Sequence, residues 1–245
     1  MALKTTRRKS GGRPAKRGRP QRSLGQRLRR GLLWGAAGVA GFFGALVLLF
    51  AVLNPPTTIY MLQEGSRLGK VQQTWAGWDK IAPVMARSVV AAEDADFCLH
   101  WGFDMRAIRA AVAEGGNRGA STISQQVVKN VFLWQGRNWL RKAMEAVLTP
   151  VVELVWSKRR ILEVYLNVAE FGEGLFGVEA AAQHYFGTTA AQLTPVQAAR
   201  LASVLPDPKG RDAAQPGSFV RRKSAQVAAG AETIRLDGRA ACFEQ

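Results

Sequence analysis

The feature that most constrains this chain is an uncharged, apolar run of 23 residues at positions 31–53. As a helix, the run would extend about 35 Å, which is enough to cross the roughly 30 Å hydrocarbon layer of a bilayer. It exceeds the apolar part of an export signal and no small-x-small cleavage site closes it, although Arg29-Arg30 before it resembles a twin-arginine signal. We therefore predict an uncleaved transmembrane helix over residues 31–53.

The amino-terminal tail, residues 1–30, carries twelve basic side chains and no acidic one. The whole chain has 34 basic and 18 acidic residues, so 12 of its 16 excess positive charges lie in this tail. Such a segment buries too little apolar area to order itself, and we predict that it is disordered. Nucleic-acid binding is the competing interpretation of a basic tail. Its place directly before the apolar run favours a cytoplasmic topology signal instead, with later residues outside and no nucleic-acid partner.

After the apolar run we predict a juxtamembrane segment over residues 54–80 and one extracytoplasmic domain over residues 81–245. The segment holds Tyr60, Trp75 and Trp78, which suit either the bilayer interface or a protein core. In the domain, apolar residues recur at helical spacing between Gly and Pro positions that include Pro150. This pattern predicts a mainly α fold preceded by one transmembrane helix.

The cysteines and histidines suggest no catalytic or metal chemistry. Cys98 and Cys242 match neither a metal-ligand spacing nor a disulfide framework, although an extracytoplasmic domain could oxidise them, and we assign them no function. His100 and His184 are too few for a multi-histidine metal site. No nucleophile elbow supports a Ser-His-Asp triad. We predict no metal site.

A glycine pattern at residues 172–177, GEGLFG, matches the G-x-G-x-x-G of dinucleotide-binding proteins. It follows a helical pattern instead of a strand, and no acid occurs between Glu179 and Asp207 to bind a ribose. We expect these glycines to form a bend.

Glu93 continues an apolar helical stripe formed by Ile81, Met85, Val89 and Phe97 at intervals of four. A carboxylate on a core-facing stripe loses hydration, which raises its pKa toward neutrality and suits a general base. The alternative is a partly exposed acid at a helix end, or one in a buried salt bridge.

A second acid, Glu163, shares the one polar strip of an otherwise apolar helix with Asn167 and Glu170. The ordinary explanation is a solvated face on which Arg159 pairs with Glu163, worth a few tenths of a kcal/mol. Composition does not separate this explanation from a functional role.

Between the two glutamates, residues 119–125 predict a flexible loop entering a helix, with Thr122 and Gln125 at capping-box spacing. The backbone amides of such a helix start suit an anion. Cations follow over the next turns, namely Lys129, Arg137, Arg141 and Lys142. They could grip a diphosphate, whereas the ordinary explanation is an ion pair of Arg141 with Glu145 on a wet surface.

Five ordered blocks resemble the peptidoglycan glycosyltransferases, which polymerise lipid-linked disaccharides into cell-wall glycan. They are EDADFCLHWGFD (93–104), the block 119–130 with STISQQVVKN, R-x-x-x-R-K-x-x-E (137–145), ILE-x-YLN (161–167), and GV-x-AA with YF (177–186). The resemblance covers residues 81–208, roughly half of the chain. Gln197 stands where the family commonly has glutamate, and Gly119-Ala120 where two glycines are commoner.

The resemblance implies a role for each matching residue. Glu93 would be the general base, and Glu163 would assist near the donor diphosphate or hold the site in shape. Lys129 and Arg137 would contact the diphosphate. The remaining candidates for substrate or diphosphate binding are Ser121, Thr122, Gln125, Gln126, Asn130 and Arg141.

The resemblance also implies a fold, a reaction and partners. The fold is a two-lobed, mainly helical, lysozyme-like domain with an apolar surface partly sunk in the bacterial inner membrane. The substrates are lipid II and a lipid-linked glycan chain, joined with inversion. No cofactor is required by the sequence, although a divalent cation, Mg or Mn, could assist the leaving group. Proteins of cell-wall synthesis and division are candidate partners.

Two other functions compete with this one. The Ser-x-x-Lys, Ser-Asp-Asn and Lys-Thr-Gly motifs of transpeptidases do not occur in the sequence, so we predict the monofunctional form. A membrane-anchored lytic enzyme is the first alternative, because lysozyme-like folds also place glutamates in a sugar groove. The cation-rich block argues against it. A non-enzymatic membrane scaffold is the second.

Overall fold

The computed structural model describes residues 24–115, 119, 121–136 and 138–244. Contacts divide the chain into two compact units, Met1–Phe42 and Phe43–Gln245. The first helix, α1, runs over Leu24–Val52. In the described part of the chain it is the one helix long and apolar enough to cross a membrane.

Helix α1 begins seven residues before the predicted transmembrane segment, so positions 24–30 of the predicted disordered tail are helical. An established helix extends at low cost into residues such as Leu, Arg and Gln, which explains this earlier start. Residues 1–23 of the tail lie outside the described residues.

The segment predicted to be juxtamembrane contains helix α2, Ile59–Leu68, the short strand β1, Gln72–Gln73, and a 3₁₀ turn at Trp78–Lys80. Its aromatic side chains pack inside the second unit. Tyr60 meets Phe176 edge-on at 5.3 Å between ring centroids, and Trp78 meets Phe243 at 6.3 Å. Of the two interpretations of these aromatics, the structure favours core packing.

Five helices carry the central part of the chain: α3 Pro83–Glu93, α4 Met105–Ala113, α5 Ile123–Phe132, α6 Trp139–Val155 and α7 Lys158–Val168. A 3₁₀ turn at Phe97–Leu99 separates α3 from α4. Helix α6 continues through Pro150, where the sequence predicted a break. The Thr149 hydroxyl donates to the Glu145 carbonyl at 2.7 Å, in the turn where proline interrupts the backbone bonding.

The later part adds strands β2 Glu170–Gly172 and β3 Leu175–Phe176, helices α8 Val178–Phe186, α9 Pro195–Val204 and α10 Ser218–Leu236, and the short α11 Ala241–Glu244. Strand β3 lies between β1, parallel to it, and β2, antiparallel to it. The glycine pattern is the turn of this hairpin, with Gly174 at φ 67°, so the predicted bend is confirmed.

The second unit holds two groups of packed helices. Helices α3, α9 and α10 pack against one another, and α5 packs against α6 and α7. The mainly helical fold predicted from the sequence is confirmed. A disulfide joins Cys98 to Cys242, which the sequence analysis did not predict. Since 144 positions separate these cysteines, only the fold brings them together.

Candidate active site

Glu93 is the last residue of α3 and lines a cleft of about 560 Å³. The stripe that leads to it is core, because Met85, Val89 and Phe97 are fully buried. The cleft is also lined by Asp94, Asp96, Asp104, Ser121, Thr122 and Lys223. An apolar helix face therefore ends in a carboxylate at the wall of an open groove.

The carboxylate of Glu93 is held by a neutral partner. Gln126 Nε2 donates to Glu93 Oε2 at 2.9 Å, and the Tyr165 hydroxyl donates to Gln126 Oε1 at 3.1 Å. Burial raises the pKa of Glu93, whereas the Gln126 bond and the charges of Lys223 and Lys129 act in the opposite direction. The predicted shift toward neutrality therefore has the predicted cause, loss of hydration.

Asp94, the next residue, is a buried structural acid. Its Oδ1 lies 2.8 Å from His100 Nε2, and its Oδ2 accepts the backbone amide of Ile123 at 3.0 Å. The sequence suggested that the backbone amides at the start of α5 could bind an anion. The Ile123 amide instead donates to the carboxylate of Asp94. This contact ties the loop after Glu93 to α5.

Two of the predicted substrate-binding residues form the capping box at the start of α5, as their spacing predicted. The Thr122 hydroxyl also donates to the Gly102 carbonyl at 2.7 Å. Gly102 has φ 82°, and a Cβ there would lie 2.5 Å from Thr149. The polar groups of Thr122 and Gln125 therefore hold the loop and the helix start in place.

Lys129 lies three residues, almost one full turn, beyond Gln126 on α5, and it is half-buried. Burial lowers the pKa of its ammonium, and the charges of Arg141 and Lys142 act in the same direction, whereas Glu145 and Glu93 act in the opposite one. In the described part of the chain it has no ion-pair partner within 4 Å. Lys129 is therefore a cation near Glu93 that is not already paired.

Two other predicted polar contacts are occupied within the protein. The buried Asn130 accepts from Gln135 Nε2 at 3.1 Å, and the exposed Ser121 hydroxyl receives Lys142 Nζ at 3.3 Å. Ser121 borders the cleft. Arg137 lies outside the described residues.

Arg141 and Lys142 both bind the buried carboxylate of Glu145. Arg141 Nη1 lies 2.7 Å from Glu145 Oε2, and its Nε donates to the Gly136 carbonyl at 3.0 Å. The pair of Arg141 with Glu145 that the ordinary explanation invoked is present, although its acid does not lie on a wet surface, since Glu145 is only 2% exposed. The side chains of Arg141 and Lys142 are therefore both paired with Glu145.

Glu163 pairs with a different arginine from the one the sequence suggested. Arg160 Nη1 lies 2.9 Å from Glu163 Oε2, whereas Arg159 donates to the Phe243 carbonyl. Arg160 also donates to the carbonyls of Phe50 and Leu53 at the end of α1. Arg160 therefore pairs with Glu163 in place of Arg159, because the carbonyls of Phe50 and Leu53 accept its other donors and hold its guanidinium there.

Lys223 is the site residue that the sequence analysis missed. It lies on α10, lines the cleft and acts electrostatically on Glu93. It stands in the basic run Arg221-Arg222-Lys223, which the weakly patterned carboxyl-terminal part gave no reason to connect with Glu93. Its neighbours Arg221 and Arg222 are exposed.

Metal binding was the remaining question about this site. Within the described ranges, no three or more His, Cys, Asp or Glu side chains are grouped to hold a metal ion.

Comparison with known proteins agrees with this geometry. The transglycosylase family model matches residues 61–231, from α2 to α10. The chain belongs to the transglycosylase family. The matched range includes Glu93, Lys129, Glu163 and Lys223.

Similar proteins support the same family. The chain is 60% identical over 222 residues to a biosynthetic peptidoglycan transglycosylase of Jannaschia sp. (strain CCS1), covering 91% of this chain and 93% of the relative. A protein of the same description from Xanthomonas oryzae pv. oryzae is 50% identical over 212 residues, covering 81% and 86%. One from Pseudomonas putida (strain W619) is 46% identical over 233 residues, covering 88% and 97%.

Proposed function

We propose that this transglycosylase polymerises lipid II into peptidoglycan glycan strands. The observation that carries the proposal is Glu93, a half-buried glutamate that accepts a hydrogen bond from a neutral amide. It lines a cleft together with Lys223, and the charges of Lys223 and Lys129 both act on it. A base of raised pKa beside cations suits a reaction that moves a proton from a hydroxyl and builds negative charge on a leaving group.

In the proposed step, a Glu93 carboxylate oxygen accepts the proton of the 4-hydroxyl on the acceptor sugar of lipid II. The hydroxyl oxygen attacks the anomeric carbon of the lipid-linked chain as the bond to the diphosphate oxygen breaks. Undecaprenyl diphosphate leaves with that electron pair, and the configuration inverts. One displacement needs one base, so no covalent sugar intermediate forms on the protein.

Lys129 is the proposed partner of the leaving diphosphate. Burial lowers its pKa, and a dianionic group beside it would favour the protonated ammonium at the moment when charge develops. Arg137 is proposed as a second contact by similarity alone. Arg141 acts less directly in this scheme, because its guanidinium is bound to Glu145.

Glu163 is proposed as a structural acid of the same site. Its carboxylate is bound to Arg160, whose remaining donors bind Phe50, Leu53 and Asn54. This arrangement supports the second of its two family roles, holding the site in shape. Its partner set gives no support for proton transfer.

The chain is proposed to lie in the cytoplasmic membrane, with residues 1–30 inside and the transglycosylase domain outside. Two observations support this orientation: basic residues precede α1, and the Cys98–Cys242 disulfide suits an oxidising compartment. A carboxyl-terminal alkaline phosphatase fusion should be active under this orientation. A cytoplasmic reporter that works better at the same position would contradict it.

The reaction itself is tested by giving purified protein two substrates separately. With lipid II we expect glycan polymer and released undecaprenyl diphosphate, detected by gel separation of labelled product. With finished, uncrosslinked glycan we expect no shortening. Fragments from glycan without polymer from lipid II would instead establish the lytic alternative.

A further inference from the structure

The carboxyl-terminal residues 237–244, called the C-terminal clasp below, hold the loop that follows Glu93. This loop, residues 94–100, is called the motif loop. Cys242 of the clasp is joined to Cys98 of the motif loop by the disulfide. The clasp lies beyond residue 231, where the match to the family model ends, so the family description does not account for it.

Polar contacts add to the covalent one. Arg239 Nη1 donates to the Ala95 carbonyl at 3.1 Å and lies 3.6 Å from Asp96 Oδ1. Asp237 orients this guanidinium by accepting from Arg239 Nε at 2.8 Å. Ala95 and Asp96 both line the cleft beside Glu93. The clasp therefore reaches the backbone of the cleft wall itself.

Apolar packing and ion pairs connect the clasp to the helices that carry the two glutamates. Phe243 is fully buried, with its ring 6.4 Å from that of Phe97. Its carbonyl accepts from Arg159 of α7, and Glu244 lies 2.6 Å from Arg87 of α3. One short segment thus touches α3, α7 and the motif loop between them.

We propose that the C-terminal clasp, closed by the Cys98–Cys242 disulfide, is a positioning element that holds Glu93 in its working geometry. This inference rests on the proposed function and adds a requirement to it. The motif loop is fixed on its cleft side by Asp94, which binds Ile123, and on its opposite side by the clasp. Opening the disulfide removes the covalent part of the clasp's attachment and leaves only the contacts of Arg239 and Phe243 on that side.

The disulfide matters because the contact it secures is distant in sequence. Without it, the clasp must find the motif loop across a separation of 144 residues, which costs loop-closure entropy. A misplacement of about 1 Å at a reacting group can lower a rate about a hundredfold. Loosening of the motif loop should therefore appear in the rate of the chemical step.

The first experiment treats the full-length, folded protein in lipid vesicles with dithiothreitol. Each dithiothreitol gives two electrons and two protons to the disulfide, leaving two protein thiols and one cyclic disulfide. We expect kcat on lipid II to fall roughly tenfold to a hundredfold, while KM changes less than about twofold. Alkylation and intact mass confirm that Cys98 and Cys242 are reduced.

Variants separate a role of the clasp in positioning Glu93 from a role of the disulfide in stability alone. Cys98→Ser with Cys242→Ser should show the same loss of kcat and no further response to dithiothreitol. Arg239→Gln should give a smaller loss. Arg235→Gln is the matched control, because Arg235 is exposed and pairs only with Glu232 among the described residues, and it should leave kcat unchanged.

The pH profile supplies a readout that a purely structural disulfide would not move. Four charged or titratable groups act on or beside Glu93: its neighbour Asp94, Lys129 of α5, Lys223 of α10 and Tyr165 of α7. If the motif loop loosens, Glu93 gains water and the acid limb of kcat should move to lower pH.

Either of two results would overturn the inference. One is unchanged kcat after complete reduction. The other is lost activity that only follows the unfolded fraction, measured by thermal melting, while the acid limb stays in place. If the untreated protein makes no polymer from lipid II, the proposed function fails first. If the protein polymerises lipid II normally and reduction of the disulfide does not change the rate, only the proposed role of the C-terminal clasp is contradicted.

Discussion

Glu93 and Glu163 are chemically identical side chains on neighbouring parts of one domain, but the fold gives them opposite partners. Glu93 receives a hydrogen bond from the neutral Gln126, and burial raises its pKa. Glu163 is bound to the guanidinium of Arg160. A carboxylate beside a neutral donor can take up a proton, whereas one bound to a guanidinium is held in place by the pair. The difference supports the proposal that Glu93, and not Glu163, accepts the proton.

The cations divide in the same way. Lys129 has no ion-pair partner in the described part of the chain, whereas Arg141 and Lys142 share the buried Glu145. An unpaired, partly buried cation is available to a substrate, and a paired one mainly holds the helix around its acid. Residue type alone does not distinguish these two uses.

The largest expected effect is that of Glu93→Gln. The amide keeps the shape of the side chain but cannot accept the acceptor proton, so kcat should fall about 10²- to 10⁴-fold. Glu232→Gln is the matched control, because Glu232 is an exposed glutamate paired with Arg235, and it should keep full activity. Undiminished polymerisation by Glu93→Gln would remove the catalytic assignment.

The same variant should be more stable than the wild type at neutral pH. Since the folded-state pKa of Glu93 is raised, the folded protein binds its proton more tightly than the unfolded chain. Stability is therefore lost as pH rises through the folded-state pKa. Glu93→Gln avoids this loss, and we expect a gain of about 1 kcal/mol at pH 7.5. Melting curves of the two proteins should converge below about pH 4.

Lys129→Met should have the next largest effect. Methionine keeps the apolar stem but removes the charge proposed to meet the leaving diphosphate, so kcat should fall about 10²- to 10³-fold. Lys80→Met, at an exposed lysine, is the control. Initial rates on labelled lipid II measure both. Equal rates for the two variants would show that Lys129 does not stabilise the leaving group.

A smaller effect is expected from breaking the Glu163–Arg160 pair. Arg160→Ala leaves Glu163 and two carbonyls of α1 without their donor, which should cost about 3 kcal/mol of folding free energy. Glu163→Gln, which keeps those carbonyl contacts, should cost less and lower kcat about tenfold.

The double variant decides what Glu163 does. If Glu163 acts through Arg160, adding Glu163→Gln to Arg160→Ala should change kcat little further. A full additional loss in that background would mean that Glu163 acts on the substrate directly. Chemical denaturation and initial rates are measured on the same four proteins.

The smallest effect concerns pH alone. Gln126 donates to Glu93 and thereby lowers its pKa, so Gln126→Ala should move the acid limb of kcat/KM to higher pH. The rate at the optimum should change by less than about fivefold. Gln183→Ala, at an exposed glutamine bound to Glu179, should leave the profile in place. A limb that moves to lower pH would contradict the proposed partner of Glu93.

The features that sequence reasoning predicted correctly depend on residues near one another in the chain. The apolar run predicted α1, spacing predicted the capping box of Thr122 and Gln125, and the stripe that includes Glu93 predicted that loss of hydration raises its pKa. Such features can be predicted because a helix repeats every 3.6 residues, so the spacing of apolar residues indicates which helix face is buried.

Partner choice between distant segments needed the folded chain. Three contacts show this. Glu163 pairs with Arg160 and not with Arg159, Asp94 accepts the Ile123 amide, and Cys98 is bonded to Cys242. Sequence spacing predicted none of them. Lys223 likewise reaches Glu93 only because α10 packs on α3. The local sequence determined the apolar periodicity of each helix and the charges that it bears. Tertiary packing decided which charges meet, because side-chain contacts depend on distance in space and not along the chain.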